Sequence, residues 1–552
     1  MSTMNSHFAQ TPNLIGKVKR SKFERPHDVK LSFNVGQLIP FDCEEVLPGD
    51  SIKRETNSLV RLQSLLTPMF DDLKLDMWYF FVPNRLVWDH WQEFCGENTK
   101  SAWIPETVYQ IPQIKVDCTN EKYDYSVFDY LGVPKVPNNG HIMVNALPFR
   151  AYGLIYNEWF RDENLQDPVL LHTDDTGQDN IADIGYLGKP YIAGKYHDYF
   201  TSCTPSPQKG PDVALPMGGE APVFGNGYAL GLTDGTTSRG LYSWEDNRGY
   251  LSADRASFKQ PIGSDVSGTP ASAKTIGLVQ KNDLLTGEYK YSGIYADLES
   301  AVAPSINALR LAMATQQLYE IDTQGTRYTS ILRNHFGVVS PDARLQRPEL
   351  LSYNSYNLNI SQVVQTSESN TTPQGTLTGM SVTGDSSTSF DKSFVEHGYI
   401  IGVMTVRYKN SYQQGLHRMF SRKHRFDYYW PVFANIGNQP VLNKEIYAQG
   451  TDVDNEVFGY QEAWAEYRYS PDRVCAEMRS SFAQSLDSWH LADNYASLPK
   501  LSPDWIVEDK NNLDRALAVT SKVANQVFAD IQINDIAVRP LPTYSIPGLL
   551  RM

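Results

Sequence analysis

In LKLDMWYFFVPNRLVWDHWQEF, Leu73 to Phe94, apolar residues recur at every second position: Leu73, Leu75, Met77, Tyr79 and Phe81 share one face, and Lys74 and Asp76 lie on the other. A period of two is that of a strand. From Trp78 onward the second face is apolar too, through Phe80 and Val82, so this half of the strand is expected to be covered on both sides. Pro83-Asn84 stops it, and Val87, Trp88, Trp91 and Cys95 follow at helical spacing. The stretch holds three Trp and three Phe. Such rings could stack nucleic-acid bases, bind sugars, or build a core and grip a neighbouring subunit. With little positive charge beside them, Trp78, Trp88 and Trp91 read as core or interface aromatics.

The same punctuation runs outward along the chain. DVKLSFNVGQLIPFDCEEVLPGDSIK reads as two strands broken by Pro40 and Pro48-Gly49-Asp50. GYIIGVMTVRYK, apolar on both faces, reads as a buried strand, and FGYQEAWAEYRYS and FADIQINDIAV as further strands. ALPFRAYGLIYNEWFRDENL places Tyr152, Ile155, Tyr156, Trp159 and Phe160 on one helical face, with Pro148 near its first turn. Another helix is expected from an N-cap at Ser305, with Ile306, Leu309 and Met313 on one side. These helices look like packed insertions in a chain whose 32 Tyr, 23 Phe and 10 Trp favour strands and whose 37 Gly and 32 Pro favour turns. The class is mainly β. Between Gly210 and Glu299 lie 14 of the 37 glycines, which predicts an exposed excursion of turns and short strands. Gln365 to Ser389, rich in Ser, Thr and Gly, reads as a long surface loop.

The net charge of −14 over 552 residues excludes a protein that coats nucleic acid over its whole surface; any such contact must be local. Two local excesses of cations occur. Residues 1–30 hold Lys17, Lys19, Arg20, Lys22, Arg25 and Lys30 against Glu24 and Asp28, a basic arm that is either a solvated terminus or a segment laid on phosphates. GLHRMFSRKHRFDYYW sets Arg418, Arg422, Lys423 and Arg425 among Phe420, Phe426, Tyr428, Tyr429 and Trp430, which suits either DNA contact or a core and subunit interface. The five cysteines are dispersed and never in C-x-x-C pairs, so neither a disulfide framework nor a zinc site is indicated. No charged leader with an apolar run, and no apolar stretch long enough to span a bilayer, marks export or membrane insertion.

Enzyme signatures are weak. GNGYALG, Gly225 to Gly231, is spaced as an ordinary glycine turn, and GYLGKPY lacks the glycine and hydroxyl of a phosphate loop. No H-E-x-x-H or G-x-S-x-G occurs. Asp174 to Asn180, which includes Asp179, and Asp452 to Glu456 cluster oxygens without the spacing of a calcium loop, and whether they bind a divalent ion stays open. No catalytic, cofactor or metal residue is assigned.

Taken in order, RSKFERPHDVKLSFNVGQLIPFDCEEVLPGD, FFVPNRLVWDHWQEFCGE, ALPFRAYGLIYNEWFRDENL, KYHDYFTSCTPSPQKGP, GTRYTSILRNHFGVVSPDARLQRPE, SFVEHGYIIG, HRMFSRKHRFDYYWP, NKEIYAQG, FGYQEAWAEYRY and RPLPTYSIPGLL resemble the major capsid proteins of gokushovirus-type microviruses, small icosahedral phages with circular single-stranded DNA. The resemblance spans nearly the full chain. It implies an eight-stranded antiparallel jelly roll with long inter-strand insertions, as a single subunit over residues 31–552. It implies sixty copies in a T=1 shell, touching about twofold, threefold and fivefold axes. Residues 211–299 would form a threefold surface protrusion that meets a host receptor. Assembly in the bacterial cytoplasm with an internal scaffolding protein, and packaging with a small basic DNA-binding protein, are further implications. With −14 on each copy, bulk attraction cannot neutralise a genome, so the basic arm and the Arg418 to Arg425 cluster are expected to face the interior. The competing readings are a carbohydrate-active β protein, for which no carboxylate pair is marked, and a host-binding fibre, for which no repeat is visible.

Overall fold

The computed structural model describes residues 20–98, 108–119, 123–137, 140–176, 188–214, 305–368 and 373–544, together with the backbone of short strands within 223–296. The chain forms two compact units, Gly210–Leu318 and the remainder.

In the larger unit ten strands make two antiparallel sheets: β1 Ser21–Glu24, β2 His27–Phe33, β3 Ile39–Val46, β4 Ser51–Leu62, β5 Leu73–Pro83, β6 Glu349–Asn357, β7 Ile360–Val364, β8 Leu377–Ser393, β9 Gly398–Tyr408 and β10 Val527–Arg539. One sheet runs β2-β10-β4-β8, with β1 also on β10 and β7 beyond β8; the other runs β3-β9-β5-β6. Apart from the steps from β1 to β2 and from β5 to β6, and the short β7, successive strands change sheets. This order is that of the eight-stranded jelly roll. Residues 84–348 connect β5 to β6 and residues 409–526 connect β9 to β10, so the two largest insertions each leave one strand end of the same sheet.

The alternation in β5 sorts its side chains as expected. Leu73, Leu75, Met77, Tyr79 and Phe81 point into the core between the sheets, where they meet Ile52, Val60, Val527, Ile531 and Ile533. Trp78, Phe80 and Val82 point the other way, into a second core with Trp88, Phe128, Phe149 and Tyr152 of the first insertion. There the helix α1, Leu147–Ile155, opens with a proline in its first turn and continues as a π-helical turn, Tyr156–Phe160. Asp76, on this second face, is wholly buried, and its carboxylate takes Arg407 and the Tyr196 hydroxyl. A third core joins the two insertions through Tyr199, Phe200, Val441 and Ile446.

Two expectations are corrected. The Ser/Thr/Gly tract is not all loop: from Leu377 it becomes the 17-residue β8, paired with β4 from Val382↔Arg61 to Ser393↔Ser51. Of its inward hydroxyls, Thr383 Oγ1 accepts the Asn359 N–H at 2.7 Å. The basic arm also does not extend to residue 30, because β1 and β2 pair with β10 along Ser21–Glu24 and His27–Phe33.

Of the described helices, α2 is Ile306–Asp322, entered as expected from Ser305, whose hydroxyl accepts the Ala308 N–H at 3.1 Å. In the smaller unit, Val223–Gly225 pairs with Ile294–Ala296, and Leu230–Thr233, Ser238–Gly240, Gly277–Lys281 and Tyr289–Tyr291 form a four-stranded antiparallel sheet. The glycine turn read at Gly225 to Gly231 lies partly outside the described residues.

Trp88 is fully buried, and its Nε1 donates to Asp175 at 2.7 Å. Trp88→Ala is therefore expected to cost about 3–5 kcal/mol, seen as loss of soluble subunit; an unchanged yield and thermal midpoint would contradict this packing role.

Candidate nucleic-acid and subunit interfaces

The residues proposed from sequence fall into three environments. Lys17 and Lys19 lie outside the described residues. Arg20 donates to the Ser51 hydroxyl at 2.9 Å and to the carbonyls of Gly49 and Val538; Lys22 pairs with Glu24 at 2.6 Å. Arg25 is committed to Glu44 and Asp535, and Lys30 to Asp530 at 3.2 Å. Ion pairing within the sheet thus takes up the cations on strands β1 and β2.

Arg25 belongs to a larger network that joins the two sheets. At its centre the fully buried Arg54 side chain of β4 reaches Asp42 and Glu44 on β3 and, at 3.1 Å, Asp535 on β10. Arg539 adds contacts to Glu44 at 2.5 Å and Asp50 at 3.2 Å. Arg54 also lies 5.7 Å from the Tyr79 ring centroid. Nothing in SIKRETNSLVRL announces this, because the partners come from distant strands.

A second buried polar cluster lies where both insertions meet β9. Lys195 pairs with Asp493 at 2.9 Å, and Asp493 also accepts from Tyr495 and Asn512. Beside them is a cavity of about 260 Å³ that Glu508 helps to line. Glu508 is 3% exposed, and its carboxylate makes no well-formed hydrogen bond, with the Tyr408 backbone N–H the nearby donor that opposes its rise in pKa. Burial pushes its pKa up to about 8; Lys195 and Arg407 oppose the rise and Asp493 adds to it.

The segment 416–436 is built differently. It carries three short 3₁₀ turns, Arg418–Ser421, Arg425–Asp427 and Pro431–Phe433, and no strand of its own. Asp427 fixes the middle turn by accepting the N–H groups of Lys423 at 2.6 Å and His424 at 2.7 Å. Arg418 and Arg422 do not project as free charges. Arg418 reaches Glu445 at 3.5 Å and the Pro440 carbonyl at 3.0 Å, and Arg422 reaches Glu466 at 3.0 Å. Burial raises the Glu445 carboxyl above its ordinary value, and the Arg418 charge offsets part of that rise. Lys423 and Arg425 are exposed and make no ion pair among the described residues. Arg425 lies 4.7 Å from the Trp430 ring centroid, and Trp430 Nε1 donates to the Arg425 carbonyl at 3.1 Å. An open cavity of about 520 Å³ adjoins this segment, lined in part by Arg418, Phe420, Tyr469 and Arg473.

The other tryptophans named from sequence have defined settings. Trp78 stacks on Tyr353 at 5.2 Å, Trp91 meets Trp88 at 6.3 Å, and Trp159 donates to the Pro348 carbonyl at 3.0 Å beneath the Arg347 guanidinium. Trp430 remains 39% exposed. Among the described residues no cluster of three or more acidic, His or Cys side chains is arranged to hold a metal ion. Asp454 instead accepts the N–H groups of Gln449 and Gly450, and Asp174 that of Thr176; Asp179 lies outside the described residues.

Comparison with known proteins agrees with this architecture. A family model described as capsid protein (F protein) matches residues 13–549. The capsid protein VP1 of Bdellovibrio phage phiMH2K is 41% identical over 552 residues, covering 99% of this chain and 98% of that protein. That of Spiroplasma virus 4 is 42% identical over 550 residues, covering 97% and 96%. That of Chlamydia phage 1 is 37% identical over 609 residues, covering 100% and 99%. Eight strands in jelly-roll order, two long insertions that build their own cores, and identity along the whole length lead to one assignment: the chain belongs to the phage capsid protein (F protein) family.

Proposed function

We propose that this chain is the major capsid protein of a gokushovirus-type microvirus, sixty copies of which close a T=1 shell around circular single-stranded DNA. The observation that carries the reading is the full-length identity to VP1 capsid proteins on a jelly-roll frame. A wedge of two packed sheets tiles a closed surface, and closed symmetry leaves no open edge of subunits. The role is structural.

The finer assignments follow from charge and topology. The chain's net charge of −14 and the pairing of Arg20, Lys22, Arg25 and Lys30 within the fold leave few cations of the arm for phosphates, so a separate small basic protein supplies most of the neutralisation. Lys17 and Lys19, ahead of β1, are the arm's remaining contribution on the interior. The unit Gly210–Leu318 serves as the surface protrusion for a host receptor, and an internal scaffolding protein guides assembly in the bacterial cytoplasm. None of the described helices is long and apolar enough to cross a membrane.

Co-expression with the scaffolding protein tests the reading: sedimentation and negative-stain microscopy are expected to show closed spherical particles, and a small monodisperse species or fibres would overturn it. In the same system Lys17→Glu with Lys19→Glu is expected to lower the fraction of DNA-filled particles without lowering total particles. Unchanged filling would remove the arm from packaging.

A further inference from the structure

Among the described residues, nothing covers much of the apolar surface of segment 416–436. Phe420 and Phe426 are each 67% exposed, Val432 83%, Tyr428 and Ile436 53%, and Met419 45%. With Trp430 and Tyr429, these side chains offer on the order of 1,000 Å² of apolar surface, about one partner's share of a standard protein interface. A patch of this size on a soluble subunit marks an interaction site.

Two occupants are chemically plausible, a single DNA strand and another protein, and the side chains distinguish them. Bases stack on rings, but they gain little from Val432, Ile436 and Met419, whose aliphatic surface needs apolar protein against it. A strand of DNA also needs several free cations. Of the four Arg and Lys residues here, Arg418 and Arg422 are bound to Glu445 and Glu466. That leaves Lys423 and Arg425, a number suited to a few carboxylates at an interface rim. A second copy of this chain, with 63 acidic residues against 49 basic ones, supplies carboxylates in excess.

The patch is also set in place before any partner arrives. Asp427 fixes the turn, Arg425 and Trp430 hold one another, and Tyr429 packs edge-on against Trp464 at 5.5 Å. Fixed anchors lose little freedom on binding.

We infer that segment 416–436 is a contact surface between copies of the subunit, with Val432 and Ile436 in its apolar part and Lys423 and Arg425 at its charged rim, and that it does not face the packaged DNA. This rests on the chain being a shell subunit.

Acetylation of Lys423 by an N-hydroxysuccinimide ester, followed by mass spectrometry, tests it on the unaltered protein. The expected result is at least tenfold slower labelling in both empty and DNA-filled particles than in free subunits. Protection in filled particles alone would place the surface on DNA, and equal labelling in all three states would show it is uncovered; either outcome overturns the inference. Val432→Lys with Ile436→Lys supplies the second measurement: folded subunits with an unchanged near-ultraviolet dichroism spectrum and at least tenfold fewer particles are expected. Wild-type yield from that variant would refute the contact, while failure of the wild-type chain itself to form particles would refute the capsid reading.

Discussion

Arg54→Ala is expected to destabilise the subunit by about 3–5 kcal/mol, enough to remove most soluble protein. The reason is less the loss of attraction than what is left behind. Asp42, Glu44 and Asp535 converge on a guanidinium that is fully buried, and without it their charges face one another in a medium that solvates them poorly. Arg25 still reaches Glu44 and Asp535, and Arg539 still reaches Glu44, so Asp42, left with His27 at 3.7 Å, bears most of the loss. Adding Asp42→Asn to Arg54→Ala should therefore recover part of the stability, because the stranded charge is gone. Urea denaturation of the single and double variants checks this; a single variant within 1 kcal/mol of wild type would show that the network contributes little.

Glu508→Gln is expected to act in the opposite direction, and only above the ordinary carboxylate value of 4.5, growing until about pH 8. The carboxyl rises from its ordinary 4.5 to about 8 on folding, because burial disfavours its charged form. Between those values the unfolded chain has released the proton and the folded chain retains it. Stability therefore falls as pH rises through this window and levels off above it. At 1.36 kcal/mol per pH unit, the accumulated cost at pH 9 is on the order of 3–5 kcal/mol. The amide cannot ionise, so the variant should melt several degrees above wild type at pH 9 and together with it at pH 4. Thermal scans that stay parallel from pH 4 to 9 would show that Glu508 does not hold a proton in the folded chain.

How much of this was legible in the sequence depended on whether a residue's partner lay nearby. The inward and outward faces of β5 could be read directly, since alternation from Leu73 and the second apolar set from Trp78 are local facts that burial respects. β10 was readable for the same reason. β8 was not: Ser and Thr from 377 to 393 look like loop until β4 supplies the hydrogen-bonding edge. Arg54 sits at an inward position of an alternating strand, where alternation calls for an apolar residue, and only β3 and β10 explain it. Segment 416–436 showed its rings and cations in sequence, but Glu445 and Glu466, which take Arg418 and Arg422 out of play, come from beyond the segment. The jelly roll came from the ordered resemblance of ten segments; composition gave only a β class.

The position of β10 sets a timetable for synthesis. Among the described residues β1 and β2 pair along their sheet only with β10, and β10 also stands between them and β4. Translation at roughly 5–20 residues per second separates the emergence of β2 from that of β10 by on the order of a minute. Throughout that interval the nascent chain carries unpaired strand edges, and the core between the sheets lacks Val527, Ile531 and Ile533. The last long strand to leave the ribosome is the one that closes the sheet, so a truncated polypeptide cannot offer a finished surface to a growing particle.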